Sequence, residues 1–254
     1  MKILARVVLA GVILLAGAGL VLWLTFLRPN LPPAEKGRRL AEKLGCFACH
    51  GPEGIRGTNN PGRTDQTVPS YEGALMMFAT SESDIREWIK FGVPAKRAKS
   101  ESWQKEKEAG VLKMPAFGER LSEKEIDYLV EFVKAVNGWE KPQESLAQRG
   151  LNRAEELGCF GCHGAGGRLA RPNSGSLKGY VASWVGPDFE ELVKNKEEFN
   201  EWVTDGVCKR LEKNPIAKYF LNRAVLKMPA FEKHLQPGDL EAIWAYVRWL
   251  REER

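Results

Sequence analysis

The chain has 254 residues, with 38 lysines and arginines against 33 aspartates and glutamates, for a net charge of +5. The two signs are interspersed along the whole sequence, so the composition does not indicate nucleic-acid binding. The length suffices for independent cores, and the sequence contains no general acid, activated nucleophile or phosphate-binding glycine loop that would mark a hydrolase or a kinase.

In chain order, Val7 to Leu27 is a run of 21 residues without a charge. As a helix it would span roughly 30 Å, the thickness of a bilayer core, and Lys2 and Arg6 precede it, as expected for a cytoplasmic N-terminus. Ala16-Gly17-Ala18 resembles a signal-peptide cleavage pattern. Cleavage there would leave Leu20 to Leu24 as an exposed apolar tail, so the reading is an uncleaved anchor over residues 1–28. Pro29-Asn30-Leu31-Pro32-Pro33 then reads as a stiff spacer, residues 29–35.

Lys36 to Leu44 is predicted helical and delivers Cys46-Phe47-Ala48-Cys49-His50. C-x-x-C-H is the signature of covalent c-type haem attachment: two thiols add to the two haem vinyl groups, and the next residue's imidazole coordinates the iron. The glycine-rich Gly51-Pro52-Glu53-Gly54 allows a close turn. Met76 and Met77, in an apolar run, read as packing residues. A helix is predicted over Glu82 to Phe91 with Trp88 as a packing residue. A long basic stretch follows, ending at Met114-Pro115. The proline disfavours helix at the methionine and suits a loop presenting a thioether. Ile126, Leu129, Val130, Val133 and Val136 then fall on one face of an amphipathic helix.

The same order returns after a linker at Gly138 to Pro142. Gly37 to Trp139 aligns with Gly150 to Leu250 at an offset of 113, later 114, residues. The helix Glu144 to Leu157 leads to Cys159-Phe160-Gly161-Cys162-His163, and Gly164-Ala165-Gly166-Gly167 follows. The helix Lys196 to Asp205 carries Trp202. Leu112-Lys113-Met114-Pro115-Ala116-Phe117 reappears unchanged as Leu226-Lys227-Met228-Pro229-Ala230-Phe231. Met228 is the single methionine after the second motif, and its counterpart is Met114, so the repeat selects these two as iron ligands opposite His50 and His163. A period this long means two tandem domains, residues 36–140 and 141–254, since solenoid units are about 20–50 residues long. No run alternates as a strand, so the expected fold is mostly α.

Helix, C-x-x-C-H, irregular loop, helix, Met-Pro loop and terminal amphipathic helix together resemble class I cytochrome c. Two in tandem are similar to dihaem cytochromes c and, with an anchor, to dihaem electron-transfer subunits of bacterial respiratory complexes. The resemblance implies a transmembrane helix followed by two tandem class I cytochrome c-like domains. It implies two covalent haem c groups on Cys46, Cys49, Cys159 and Cys162, with His50 and His163 as proximal and Met114 and Met228 as distal ligands. It also places the haem domains on the periplasmic side of a bacterial cytoplasmic membrane. In two respects the sequence departs from the family: the proline whose carbonyl orients the proximal histidine is ambiguous, because Pro61 and Pro69 align with Ser174 and Ala182, and the stretches before the methionines, Phe91 to Lys113 and Gly206 to Lys227, are long and basic.

The preferred function is an anchored electron carrier, without catalysis of its own, between a redox-protein donor and acceptor. The alternatives are a fixed subunit of a quinol-oxidising or terminal-oxidase complex and, less favoured, a dihaem peroxidase-like enzyme. The matched Met-Pro loops count against the last, since a peroxidatic haem needs an open distal site. Lys96, Arg97, Lys99, Lys105 and Lys107, with Lys209, Arg210, Lys213, Lys218 and Arg223, read either as a ring steering an acidic partner or as a solvated face. Cys208 reads as a buried thiol, and His234 as a surface residue.

Overall fold

The computed structural model describes residues 2–23 and 28–252. The chain is mostly helical; among the described residues, β-structure is confined to two isolated antiparallel bridges, Asn59 with Thr67 and Pro172 with Tyr180. These bridges sit at matching positions of the repeat.

The first bundle is opened by α2 (Pro33–Lys43) and closed by α7 (Glu123–Asn137), which pack together. Between them lie α3 (Phe47–His50), α4 (Glu82–Phe91), α5 (Ala95–Ala98) and α6 (Glu101–Ala109). The second bundle repeats the plan with α8 (Ser145–Glu156), α9 (Cys159–His163), α10 (Pro187–Leu192), α11 (Lys196–Asp205), α12 (Lys209–Lys213), α13 (Pro215–Arg223) and α14 (Asp239–Glu252), with α8 against α14. Each pair crosses at a glycine. A Cβ on Gly37 would lie 1.8 Å from the Tyr128 carbonyl oxygen, and one on Gly150 would lie 1.9 Å from that of Ala242. Only a residue without a side chain lets the two backbones approach this closely.

The apolar face predicted for α7 is the one buried: Ile126, Leu129, Val130, Phe132 and Val133 join Ala41, Tyr71, Ile85 and Ile89 in one core. In the second bundle Ile243, Tyr246, Val247 and Leu250 of α14 pack with Ala154, Trp184, Phe199 and Val203. Capping fixes the starts of the helices: Ser81 and Ser122 each form a reciprocal capping box with Asp84 and Glu125, and Asn195 caps α11.

The expected membrane anchor is not upheld. Helix α1 (Lys2–Leu22) covers residues 7–22 of the expected span, and residues 24–27 lie outside the described residues. Lys2 and Arg6 occupy its first turns and shorten its uncharged part. Among the described residues no helix is long and apolar enough to cross a membrane. The fold class is corrected accordingly to mostly α without that transmembrane helix. The single-pass localisation at a cytoplasmic membrane falls with it.

Candidate functional site

The end of α2 is followed by Gly45 at φ +78°, which turns the chain so that Cys46 to His50 can wind a single helical turn. The His50 amide donates to the Cys46 carbonyl at 3.0 Å. Cys46, Cys49 and His50 therefore sit three and four residues apart along one face. Both cysteines are half-buried and outside any disulfide, and burial raises the Cys46 thiol above its ordinary value. The second motif is built the same way after Gly158 at φ +74°, and burial pushes the Cys159 thiol up to about 11.

Each histidine is oriented by a carbonyl 19 residues further on. His50 Nδ1 lies 2.8 Å from the Pro69 oxygen, and His163 Nδ1 lies 2.8 Å from the Ala182 oxygen. A carbonyl can only accept, so Nδ1 carries the proton in both rings and Nε2 keeps its lone pair, the form that binds a metal. Burial, the larger effect, lowers both imidazoles below their ordinary value against the opposing hydrogen bond. The rings pack on Tyr71 (centroids 4.7 Å apart) and Trp184 (5.3 Å), which are again matching residues. The ambiguity over the orienting residue is thereby resolved: it is position 69 and its counterpart 182. Since the acceptor belongs to the backbone, alanine serves as well as proline.

A deep cleft in the first bundle has Cys46, Cys49 and His50 on its lining together with Met114, and its walls are apolar, among them Leu75, Ile85, Ile89 and Val133. Three sets of contacts fix the Met114 loop. The buried Asn60 side chain donates to the Leu112 carbonyl at 2.9 Å and accepts from the Leu112 amide at 2.8 Å. The amides of Phe117 and Gly118 donate to the carbonyls of Ile89 and Lys90, each at 3.0 Å. Gly92, at φ +73°, leaves room for the Met114 carbonyl, which a Cβ there would approach to 2.5 Å. The Met228 loop repeats this with Asn173 on Leu226 (2.9 and 2.8 Å), Phe231 on Val203 (2.9 Å) and Gly206 under the Met228 carbonyl (2.5 Å). Both methionines are half-buried.

Asn60 and Asn173 escaped the sequence reading as functional residues. The signal was present, because Asn60-Pro61-Gly62 aligns with Asn173-Ser174-Gly175, but nothing in the sequence says what the amide grips. Met76 and Met77, expected to pack, are 55% and 65% exposed, and it is Leu75 beside them that enters the core. Trp88 and Trp202 pack as expected, with each indole N–H donating at 3.0 Å to the Phe78 and Leu192 carbonyls. Several side chains of the basic stretches have local partners. Arg97 stacks on Phe78 and Trp103, Arg210 pairs with Glu198, Arg223 lies over Tyr219, and Lys107 reaches the cleft lining. Cys208 is fully buried, and His234 is exposed in a short turn.

The first cleft fits a haem. Its donor set pairs two thiols and an Nε2-available imidazole with a thioether, and its walls are apolar. Trp103, which also lines it, has a buried indole N–H without a partner in the protein, beside the Arg63 guanidinium 5.4 Å from the ring centroid. An orphaned donor in an apolar cleft suits a ligand with an apolar body and an acidic edge. In such a complex Cys46 and Cys49 would hold the porphyrin, and His50 and Met114 would face the iron.

Residues 32–133 match the family of cytochrome c oxidase, cbb3-type, subunit III. No curated protein matches the chain. Among solved structures, a reducing HAO-like protein complex of Kuenenia stuttgartiensis aligns at 18% identity over 85% of this chain and 96% of that one. Its TM-score of 0.28 is too low to support any argument. A cytochrome c domain implies covalently bound haem c. Residues 32–133 are thus a cytochrome c domain similar to that of cbb3-type subunit III.

Proposed function

We propose that the chain is a dihaem electron carrier, with one haem c in each bundle of a tandem pair of class I cytochrome c domains. The observation that carries this reading is the duplication of the whole site: attachment turn, carbonyl-oriented histidine, asparagine-pinned loop and half-buried methionine occur twice with matching distances. A haem, when bound, supplies one-electron chemistry between ferrous and ferric iron. The chain supplies the rest. Cys46, Cys49, Cys159 and Cys162 fix the porphyrin, and the carbonyls of Pro69 and Ala182 hold His50 and His163 in the metal-binding tautomer. Asn60 and Asn173 hold Met114 and Met228 in place, and the apolar walls exclude water. Met/His ligation raises the potential, which suits transfer to a high-potential acceptor. A haem held in either bundle would have a methionine thioether available besides the histidine, which argues against peroxidase-like turnover.

The match of residues 32–133 to an oxidase subunit favours a second reading with the same chemistry, an electron-transfer subunit of a terminal oxidase. Expression with haem-attachment machinery tests the proposal. Two haems per chain by pyridine haemochrome, with no carbon monoxide binding after reduction, is the expected result. One haem, or rapid carbon monoxide binding at either site, would overturn it. Co-purification with an oxidase in mild detergent would select the second reading.

A further inference from the structure

The loop that follows the second attachment motif is built into the first bundle. Leu169 is 1% exposed and belongs to the same buried cluster as Ala34, Phe132 and Val133 of α2 and α7, with Ala165 packed alongside. The Leu169 amide also donates to the carbonyl of His163, so one residue links the second candidate iron ligand to the first core. Arg171 pairs with Glu53, and Arg168 pairs with Glu140 at 3.1 Å. Glu53 lies four residues after Cys49, so the two attachment loops meet directly.

The backbone at Glu53 supplies an independent reason to give this contact a function. Glu53 has φ +55°, a left-handed conformation that is unfavourable for a non-glycine residue. At the matching position of the second motif stands Gly166 at φ +57°, for which the conformation is free. The first copy thus keeps a carboxylate where glycine is the easier residue, and that carboxylate is the one engaging Arg171. The docking loop is also specific to the second copy: Leu169 and Arg171 correspond to Arg56 and Thr58, and the neighbouring Ile55 is 51% exposed.

We propose that Glu53, Leu169 and Arg171 are positioning residues that dock the two attachment loops, and that electron exchange between the two haem sites runs across this contact. The proposal rests on the dihaem reading above. The step is a one-electron exchange in which one iron is oxidised as the other is reduced; no bond is made or broken and no proton moves. Strain at position 53 and burial of Leu169 serve this purpose by fixing the separation of the two sites, which two bundles joined only by a linker would let vary.

The test uses the full haem-loaded chain with Glu53→Gly, Arg171→Glu and the charge swap Glu53→Arg/Arg171→Glu. Glu53→Gly relieves the backbone while removing the carboxylate, so it is not expected to impair folding. Each protein is first checked for two haems, then flash-reduced with less than one electron per chain, and redistribution is followed by absorbance. Small-angle scattering reports the docking separately. The expected result is a fast, concentration-independent phase in the wild type that is lost in both single variants, together with a larger radius of gyration. The swap restores both. A fast phase or an unchanged radius in the single variants would overturn the proposal while leaving the dihaem reading intact. One haem in the wild type would sink that reading instead, and scattering alone would then decide the docking.

Discussion

Replacing Asn60 by alanine should loosen the Met114 loop without unfolding the bundle around it. The Asn60 side chain is 2% exposed and makes two hydrogen bonds to Leu112, at 2.9 and 2.8 Å. Each contributes about 1 kcal/mol net, so their loss comes to about 2 kcal/mol. The added penalty for unpaired groups is small, because Leu112 is 37% exposed and water can reach its backbone. At 1.4 kcal/mol per tenfold, loop opening becomes about 30-fold more favourable. Hydrogen exchange at the Leu112 amide should accelerate by that factor, and imidazole should bind the oxidised first haem more tightly by a similar one. Leu226, held by Asn173 in the same molecule, is the internal control and should not change. The reasoning fails if Leu112 exchange is unaltered, or if protection falls uniformly through α2 and α7, which would mean that Asn60 supports the core and not the loop.

Gly150→Ala would place a Cβ 1.9 Å from the Ala242 carbonyl oxygen and force α8 away from α14. Overpacking of this kind costs about 1–3 kcal/mol, to be read as a lowered urea midpoint; a midpoint unchanged from wild type would refute the crossing. Pro69→Ala should leave the His50 Nδ1–H resonance in place, since the acceptor is a backbone carbonyl as it is at Ala182. Loss of that resonance would show that the proline ring itself is required. The Glu198 carboxylate is held down at about 2 from an ordinary 4.5, chiefly by its hydrogen bonds to Arg210. A depressed folded-state value means that the stabilisation is present above about pH 4.5 and disappears as pH falls toward 2. Urea titrations across that window should show a slope that Arg210→Gln flattens; parallel curves would exclude the pair as its source.

Much of the site was legible in the sequence because the chemistry constrains the spacing. Cys46, Cys49 and His50 must share one helical turn, and the repeat singled out Met114 over Met76 and Met77 without any knowledge of contacts. Helix α7 was legible because Ile126, Leu129, Val130 and Val133 sit at helical spacing. The partner of each histidine was not, because a backbone carbonyl leaves no trace in residue identity. Helices α6 and α13 were missed for a different reason: five of the nine residues of Glu101–Ala109 are charged, the rest form no apolar stripe, and its start is marked only by the Ser100 cap. Pro215 at the first turn of α13, with Asn214 capping two amides, is a readable start signal inside a stretch otherwise marked by its length and basic charge. The anchor was expected from the lack of charge over residues 7–27 alone, and among the described residues no helix is long and apolar enough to cross a membrane.

The crossing of α2 with α7, and of α8 with α14, brings the entrance and the exit of each bundle side by side. A fold with adjacent ends can be copied head to tail with a short connection, because the second copy starts where the first one stops. Six residues separate Trp139 from Leu146. The same adjacency makes the chain a candidate for rearrangement in the laboratory. The ends of one bundle can be joined and new termini opened in an exposed loop such as 72–73, or the bundle can be spliced into a surface loop of another protein, without stretching its two end helices apart.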